Sequence, residues 1–153
     1  MSWNGADLFA TGGLESLPPG FSAGAGTSQV FEGFPVAAAV RDGLLHVHFA
    51  AAALEQVPES LAASSGGERA LAVLYSGTTD TYVLEAADTG HTSRLLVISE
   101  GEVVVDEGAP SPYEAAPRAD TEGWLFGLVE ELTGTSVTAL PGVTETWTEL
   151  RPG

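Results

Sequence analysis

The chain contains no cysteine and no lysine among its 153 residues. The absence of cysteine excludes disulfide bonds and thiolate chemistry, and it is typical of a protein that works in the reducing cytosol. No apolar run approaches the ~18–20 residues that a membrane-spanning helix needs. The N-terminal stretch MSWNGADLFATGG lacks the basic start and the long apolar segment of a secretion signal. Together these absences predict a cytoplasmic protein with no membrane partner.

Positive charge is scarce as well. The only Lys or Arg side chains are 5 arginines, against 21 aspartates and glutamates, and the formal net charge is −16. Phosphate backbones and anionic membranes would repel such a chain, which argues against nucleic-acid binding. Cationic proteins are the natural partners of a broadly acidic surface, because charge complementarity speeds their encounter. Solubility alone would also explain this charge, and Arg without Lys in an Ala- and Gly-rich chain is typical of high-GC bacteria.

The sequence carries no pattern that is typical of an enzyme. There is no serine elbow of the GxSxG type, no phosphate-binding loop and no dinucleotide fingerprint. Carboxylate pairs such as Glu100 and Glu102 flank a turn, whereas a catalytic pair needs a cleft that shifts its pKa. We therefore predict a protein that is not an enzyme and that binds no cofactor.

Two hairpin patterns organise the chain. In residues 94–108, RLLVISEGEVVVDEG, two runs rich in Val, Ile and Leu flank Glu100 and Gly101, and Gly101 can adopt the positive φ of a tight turn. We expect this hairpin at the centre of an antiparallel sheet, with the valines of residues 103–105 in apolar contact on both faces. A second hairpin is predicted over residues 34–49, with Asp42 and Gly43 in its turn.

Helix and strand patterns follow on either side of the central hairpin. Residues 50–63 have helical composition, but Pro58 predicts a helix that stops beside it or two short turns. An apolar stripe over residues 121–133 predicts an amphipathic helix that covers one face of the sheet, with Trp124 buried between helix and sheet. The alternation of residues 143–150 predicts a strand at a sheet edge, where acidic side chains would deter further pairing.

These patterns predict the fold class and the domain organisation. The density of Gly and Pro in residues 1–29 predicts an irregular N-terminal arm. Residues 30–153 are predicted to form a single α+β domain. It consists of an antiparallel sheet of about five or six strands, packed by one main C-terminal helix at residues 121–133.

One part of the chain resembles a known class of proteins. Residues 82–134 combine strand, turn, strand, the acidic Pro-containing loop GAPSPYE and an amphipathic helix that ends in ELTG. This succession resembles the small acidic immunity proteins of bacterial toxin–immunity systems. Because immunity proteins have many unrelated folds, the resemblance implies a class of function and no site residues.

The leading functional hypothesis is a non-enzymatic acidic protein-binding module. Its most concrete form is an immunity protein that neutralises a cognate bacterial toxin by covering the toxin's basic active-site surface. The candidate partner-binding residues are carboxylates of the central hairpin and the following loop: Glu100, Glu102, Asp106, Glu107 and Glu114. Antiparallel pairing is expected to place Glu100 and Glu102 at the turn, and Asp106 and Glu107 at the opposite end of the hairpin. The alternatives are a small acidic chaperone or assembly factor for a secreted or particle protein, a His-dependent metalloenzyme and a nucleic-acid mimic.

The metalloenzyme alternative depends on His46 and His48, which alternate with apolar residues on one predicted strand. This spacing places both imidazoles on one strand face, as some metal sites require, and Asp42 is a possible third ligand. The competing interpretation is a solvated outer face opposite a buried apolar face. Two histidines without a further spaced ligand fall short of the usual ligand count, so we predict no bound metal.

Overall fold

The computed structural model describes residues 4–28, 34–111, 114, 121–133 and 147–152. Its strands are β1 (Asn4–Thr11), β2 (Phe21–Ser28), β3 (Val36–Arg41), β4 (Leu44–Ala50), β5 (Arg69–Ser76), β6 (Thr81–Asp88), β7 (His91–Ser99), β8 (Glu102–Gly108) and β9 (Trp147–Pro152). The helical elements are 3-10 turns at Leu14–Ser16 and Ala51–Gln56 and the α-helices α1 (Leu61–Ser64) and α2 (Thr121–Thr133). This content confirms an α+β protein that is dominated by antiparallel pairing.

The strands form one sheet in the order β2-β9-β3-β4-β1-β5-β6-β7-β8. Neighbouring strands pair antiparallel throughout. The prediction of about five or six strands was wrong, because the described sheet has 9. The additional strands come mainly from the N-terminal segment, which lies inside the sheet rather than beside it.

The prediction of an irregular N-terminal arm was also wrong. Strand β1 lies between β4 and β5 at the middle of the sheet, and β2 forms one edge. Glycine usually weakens a strand, but at Gly5 a residue without a side chain is required because neighbouring atoms leave no room for one. A Cβ atom at this position would lie 2.9 Å from the Tyr75 hydroxyl oxygen and 3.0 Å from the Phe49 carbonyl oxygen. Gly5 therefore leaves room for Tyr75 and Phe49 to pack against β1, and it does not interrupt the strand.

The hairpin of residues 94–108 has the predicted turn but not the predicted place. Glu100 and Gly101 have φ values of 52° and 79°, which match the two-residue turn that favours a twisted hairpin. The hairpin lies at the edge of the sheet, since β8 pairs only with β7 among the described strands. The valines of β8 are consequently not enclosed on both faces: Val103 is 45% exposed and Val104 is 58% exposed.

The prediction that the last strand lies at a sheet edge was wrong for β9. This strand lies between β2 and β3 instead of at an edge. Its apolar residues Trp147 and Leu150 are buried, whereas Glu149 is only partly exposed and pairs with Arg151 at 3.1 Å. The acidic side chain is thus accommodated without preventing pairing on both sides of the strand. Residues 143–146, the start of the predicted strand, lie outside the described residues.

The predicted helical elements agree with the structure more closely than the predicted strand positions do. Two short helical elements, Ala51–Gln56 and α1, flank Pro58, as the proline predicts. Helix α2 has the predicted bounds, and Leu125, Leu128 and Val129 are buried. These three residues belong to one apolar cluster with side chains from β5, β6 and β7. No helix in the described part of the chain is long and apolar enough to cross a membrane.

Alternation along the strands gives the sheet two buried faces. The α1 face carries Leu8, Val47 and Phe49 and packs against the short helical elements that precede β5. The α2 face carries Phe9, Val73, Tyr75, Leu84 and Ile98 and packs against α2. A polar residue on β1 that shares a face with Phe9 is therefore buried in the domain, and this placement creates the polar cluster described below.

Candidate functional site

The predicted partner-binding carboxylates lie at both ends of the β7–β8 hairpin. Glu100 lies in the turn and Glu102 follows it, and the Glu100 amide donates to the Asp80 carbonyl oxygen at 2.8 Å. Asp106 and Glu107 lie at the opposite end, where the pairing of Arg94 with Gly108 closes the ladder. The structure therefore confirms that antiparallel pairing separates these acids into two groups. Their role in binding a partner stays a prediction.

Arg94 brings Asp106 and Glu114 together at the second end. Its Nη2 donates to Glu114 Oε1 at 2.6 Å, and its Nη1 donates to Asp106 Oδ1 at 2.5 Å. Hydrogen bonds from the guanidinium to Glu114 raise the pKa of Arg94; burial opposes this, and the bond to Asp106 adds to it. The Glu114 side chain is only 9% exposed, whereas that of Asp106 is 60% exposed. The Glu114 carboxylate is therefore largely buried and paired within the domain, whereas the Asp106 side chain faces solvent.

The chain leaves β8 through a sterically restricted glycine. Gly108 has a φ of +86°, and a Cβ atom there would lie 2.0 Å from the Ser93 carbonyl oxygen. Beyond it, the Ser111 amide donates to Glu114 Oε2 at 2.8 Å. The Gly108 turn, the Ser111 amide and Arg94 therefore fix the start of the loop that follows β8. Residues 112 and 113 of the GAPSPYE loop lie outside the described residues.

The two histidines are not on a solvated outer face, and that interpretation was wrong. His48 is buried and His46 is partly buried, because both project from β4 toward the α2 face. Antiparallel pairing places His48 opposite Asp7 and His46 opposite Phe9 on β1. The sequence pattern alone does not indicate Asp7, the residue that organises this cluster.

Asp7 is completely buried and accepts three side-chain hydrogen bonds. Its Oδ1 lies 2.6 Å from His46 Nε2 and 3.0 Å from His48 Nδ1. The Tyr75 hydroxyl donates to Oδ2 at 2.6 Å. Burial alone would raise the pKa of Asp7, but the charge of His48 and the hydrogen bonds from both imidazoles lower it below its ordinary value. The carboxylate is therefore held in its charged form inside the domain.

Aromatic groups surround this polar cluster. The Phe9 ring stacks on the His46 ring with centroids 4.3 Å apart, and Trp147 meets His46 edge-on at 4.9 Å. Burial raises the pKa of Tyr75, and the Asp7 charge, its hydrogen bond and the Glu122 charge raise it further. Tyr75 therefore acts as a hydrogen-bond donor and keeps its proton.

The cluster does not have the geometry of a metal site. Among the described residues, no group of three or more His, Cys, Asp or Glu side chains is arranged to hold a metal ion. His46 and His48 both direct a ring nitrogen at the same Asp7 oxygen, so hydrogen bonds already occupy the point where their nitrogens converge. Asp42, proposed as a third ligand, lies in the β3–β4 turn with a φ of 50°. The cluster can hold a charge and position protons within the core.

Acid should weaken the contribution of Asp7 to stability. A carboxyl group whose pKa is lowered on folding stabilises the protein fully above its unfolded pKa, and this stabilisation is lost as the pH falls through its folded pKa. The ordinary value is 3.8. We expect the stability difference between the wild type and an Asp7→Asn variant to narrow as the pH falls from about 5 to about 2. Urea unfolding at several pH values measures this, and a constant difference would contradict it.

Comparison with known proteins does not place the chain in a family. No protein-family model, no curated protein and no solved structure matches it. Its function therefore has to be inferred from the charge and geometry of this chain. The resemblance of residues 82–134 to immunity proteins stays a hypothesis.

Proposed function

We propose that the protein is a non-enzymatic acidic module that binds a cationic protein. In its most concrete form it is a cytoplasmic immunity protein that neutralises a cognate bacterial toxin by covering the toxin's basic active-site surface. The observation that carries this proposal is the group of exposed carboxylates on the β7–β8 hairpin, named here the acidic hairpin: Glu100, Glu102, Asp106 and Glu107.

Nearby cations of the described chain offset only part of the charge of the acidic hairpin. Arg94 lies on β7 of the hairpin itself, and its buried side chain pairs with both Asp106 and Glu114, so one positive charge is shared by two carboxylates. Arg151 pairs with Glu149 at the other side of the sheet. With a net charge of −16 for the chain, the hairpin surface attracts basic partners and repels acidic ones.

The end of the hairpin that carries Asp106 and Glu107 is the preferred contact surface. Glu114 bonds to Arg94 and to the Ser111 amide, so the described residues at this end are already held in place before a partner arrives. A preorganised surface binds more tightly because less conformational freedom is lost on association. In this proposal Asp106 and Glu107 contact the partner, and Glu114 supports them through Arg94.

Salt and charge removal should slow association at this surface. The partner is first isolated by cross-linking and co-purification from the producing cells. We then expect the association rate constant to fall about tenfold between low and high salt, because exposed charges are screened beyond ~8–10 Å. Asp106→Asn combined with Glu107→Gln should lower the rate several-fold at low salt. Stopped-flow or surface-based kinetics measure both effects.

The matched control removes two charges elsewhere. Glu55 and Glu59 are exposed residues between β4 and α1, so Glu55→Gln combined with Glu59→Gln makes the same change in net charge away from the hairpin. If both double variants slow association equally, net charge acts and the hairpin is not the interface. If neither salt nor either double variant changes the association rate, electrostatic attraction does not drive binding of the partner, and the proposal is refuted. For a toxin partner, co-expression of this protein should restore cell growth.

A further inference from the structure

We infer that the outer edge of β8 accepts an extended basic segment of the partner as an additional antiparallel strand. This inference rests on the proposed function, because it supplies the mode in which a cationic partner would contact the acidic hairpin. The partner chemistry is a strand in which Arg or Lys alternates with apolar residues. Main-chain hydrogen bonds would give affinity, and alternate side chains would give specificity.

The outer side of the β8 backbone has no strand partner among the described residues, and at its end Arg94 donates to the carbonyl oxygens of Glu107 and Gly108. Among the described strands β8 pairs only with β7, and no described turn or loop forms a backbone hydrogen bond to it. Every residue of Glu102–Gly108 is exposed except Val105, which is half-buried. An edge strand of this kind presents a row of N–H and C=O groups that another strand can pair with.

Two adjacent apolar side chains on this edge also face solvent. Val103 and Val104 are 45% and 58% exposed, and they are consecutive, whereas the other large exposed hydrophobic residues of the described chain lie singly in distant elements. A β-bulge occurs here, because Ile98 pairs with Val103 while Val97 pairs with Val105. Val104 is the extra residue, and it leaves the regular ladder. An added strand would cover this pair of valines.

The charges of β8 select a basic strand over a second copy of the same strand. Antiparallel self-pairing centred on Val104 would set Glu102 of one copy directly against Asp106 of the other. Like charges directly opposite each other destabilise a strand pair, whereas opposite charges stabilise it. A basic strand meets the same carboxylates with favourable charges, and its apolar residues meet the two valines.

Val103 offers a specific test of the main-chain contact. Ser99 and Glu102 close the two-residue turn, so Ile98 and Val103 form the next pair of the ladder. Hydrogen-bonded and non-hydrogen-bonded pairs alternate along an antiparallel ladder, and the pair after the closing pair is of the second kind. The N–H of Val103 is therefore directed away from β7, toward the position of an added strand. Proline at such an edge position removes the outward donor and spares the sheet's own bonds.

The experiment measures binding of a synthetic eight-residue peptide that alternates arginine and valine. The wild type, Val103→Pro and Val103→Ala are compared by fluorescence anisotropy, and hydrogen exchange of the β8 amides is followed by NMR. We expect Val103→Pro to bind about tenfold more weakly than Val103→Ala, which loses similar apolar contacts and keeps the donor. Exchange of β8 amides should slow when the peptide binds the wild type.

A second arm avoids dependence on the folding of the proline variant. The same peptide, N-methylated at alternate residues along one edge, keeps its charges and loses the donors that pair with β8. About tenfold weaker binding of the methylated peptide supports strand addition. Equal affinity of both peptides would overturn it, and so would a failure of the unmethylated peptide to bind. Dimerisation of the protein through the Val103 edge would make a second copy the occupant and would also overturn it.

These outcomes are separate from a failure of the proposed function. Equal binding of both peptides, with salt dependence retained, would mean that the acidic hairpin attracts cations without pairing its backbone. The proposed function fails instead when association of the isolated partner is indifferent to Asp106 and Glu107.

Discussion

Replacing Asp7 with asparagine is expected to lower the free energy of unfolding by about 3–5 kcal/mol, because it removes one partner from a buried charged network. Asparagine has nearly the same shape, so the change removes the charge without creating a cavity. It leaves the imidazoles of His46 and His48 without the carboxylate on which both converge. It also replaces the acceptor of the Tyr75 hydroxyl. Urea unfolding at pH 7 measures the loss, provided that the unfolding free energies of the wild type and the variant depend equally on urea concentration.

Asp88→Asn is the matched control for this experiment. Asp88 ends β6 and is exposed, so the same chemical change there should alter the free energy of unfolding by less than about 0.5 kcal/mol. A double-mutant cycle between Asp7→Asn and His48→Gln should show coupling, because the two side chains share one hydrogen bond. An Asp7→Asn variant as stable as the wild type would mean that the buried charge contributes nothing net to the fold.

Asp7 also shows where sequence reasoning stops. Its three partners are 39, 41 and 68 residues away along the chain, on strands that only the sheet topology brings beside β1. The local sequence around it is rich in Gly and small residues, which predicted irregular structure. The signal that could have found it is an acidic residue alternating with the apolar Ala6 and Leu8, opposite the His-x-His pattern of β4.

The correctly predicted features are local in sequence. The turns at Asp42-Gly43 and Glu100-Gly101 have positive φ at both central residues, and neighbouring residues alone determine this geometry. The bounds of α2 and the division beside Pro58 likewise depend on a few consecutive residues. The separation of the acids into two ends of the hairpin follows from the turn, which is why that part of the candidate site was predictable.

The wrong predictions about the sheet all concern pairing between distant segments. The position of a strand in a sheet depends on its packing against neighbouring strands and elements. The alternation of the strand's own residues does not specify these neighbours. The hairpin of residues 94–108 was expected at the centre because its runs are apolar, but β1 occupies the centre. Strand β9 was expected at an edge because it is acidic, yet its Trp147 is among the most buried side chains.

Trp147 provides the second large expected effect. Its side chain is 1% exposed and lies in an apolar cluster with Ala37, Ala39 and Phe34. Its ring also meets the ring of His46, so it joins β9 to the polar cluster around Asp7. Truncation to alanine should cost about 3–5 kcal/mol, because it removes a buried aromatic group and leaves a cavity that the sheet cannot close. Urea unfolding followed by far-UV circular dichroism measures this loss.

The comparison with Trp124 decides whether burial is the cause. The sequence predicted Trp124 to be buried between helix and sheet, but its side chain is only partly buried on α2. Trp124→Ala should therefore cost less than about 2 kcal/mol, since less apolar area leaves water when this side chain packs. Trp147→Phe keeps an aromatic ring beside His46 and should recover part of the loss, which also gives a measurable variant if Trp147→Ala does not fold. Equal losses for the two alanine variants would contradict the assignment of Trp147 as the anchor of β9, because only Trp147 is enclosed by the sheet on the α2 face.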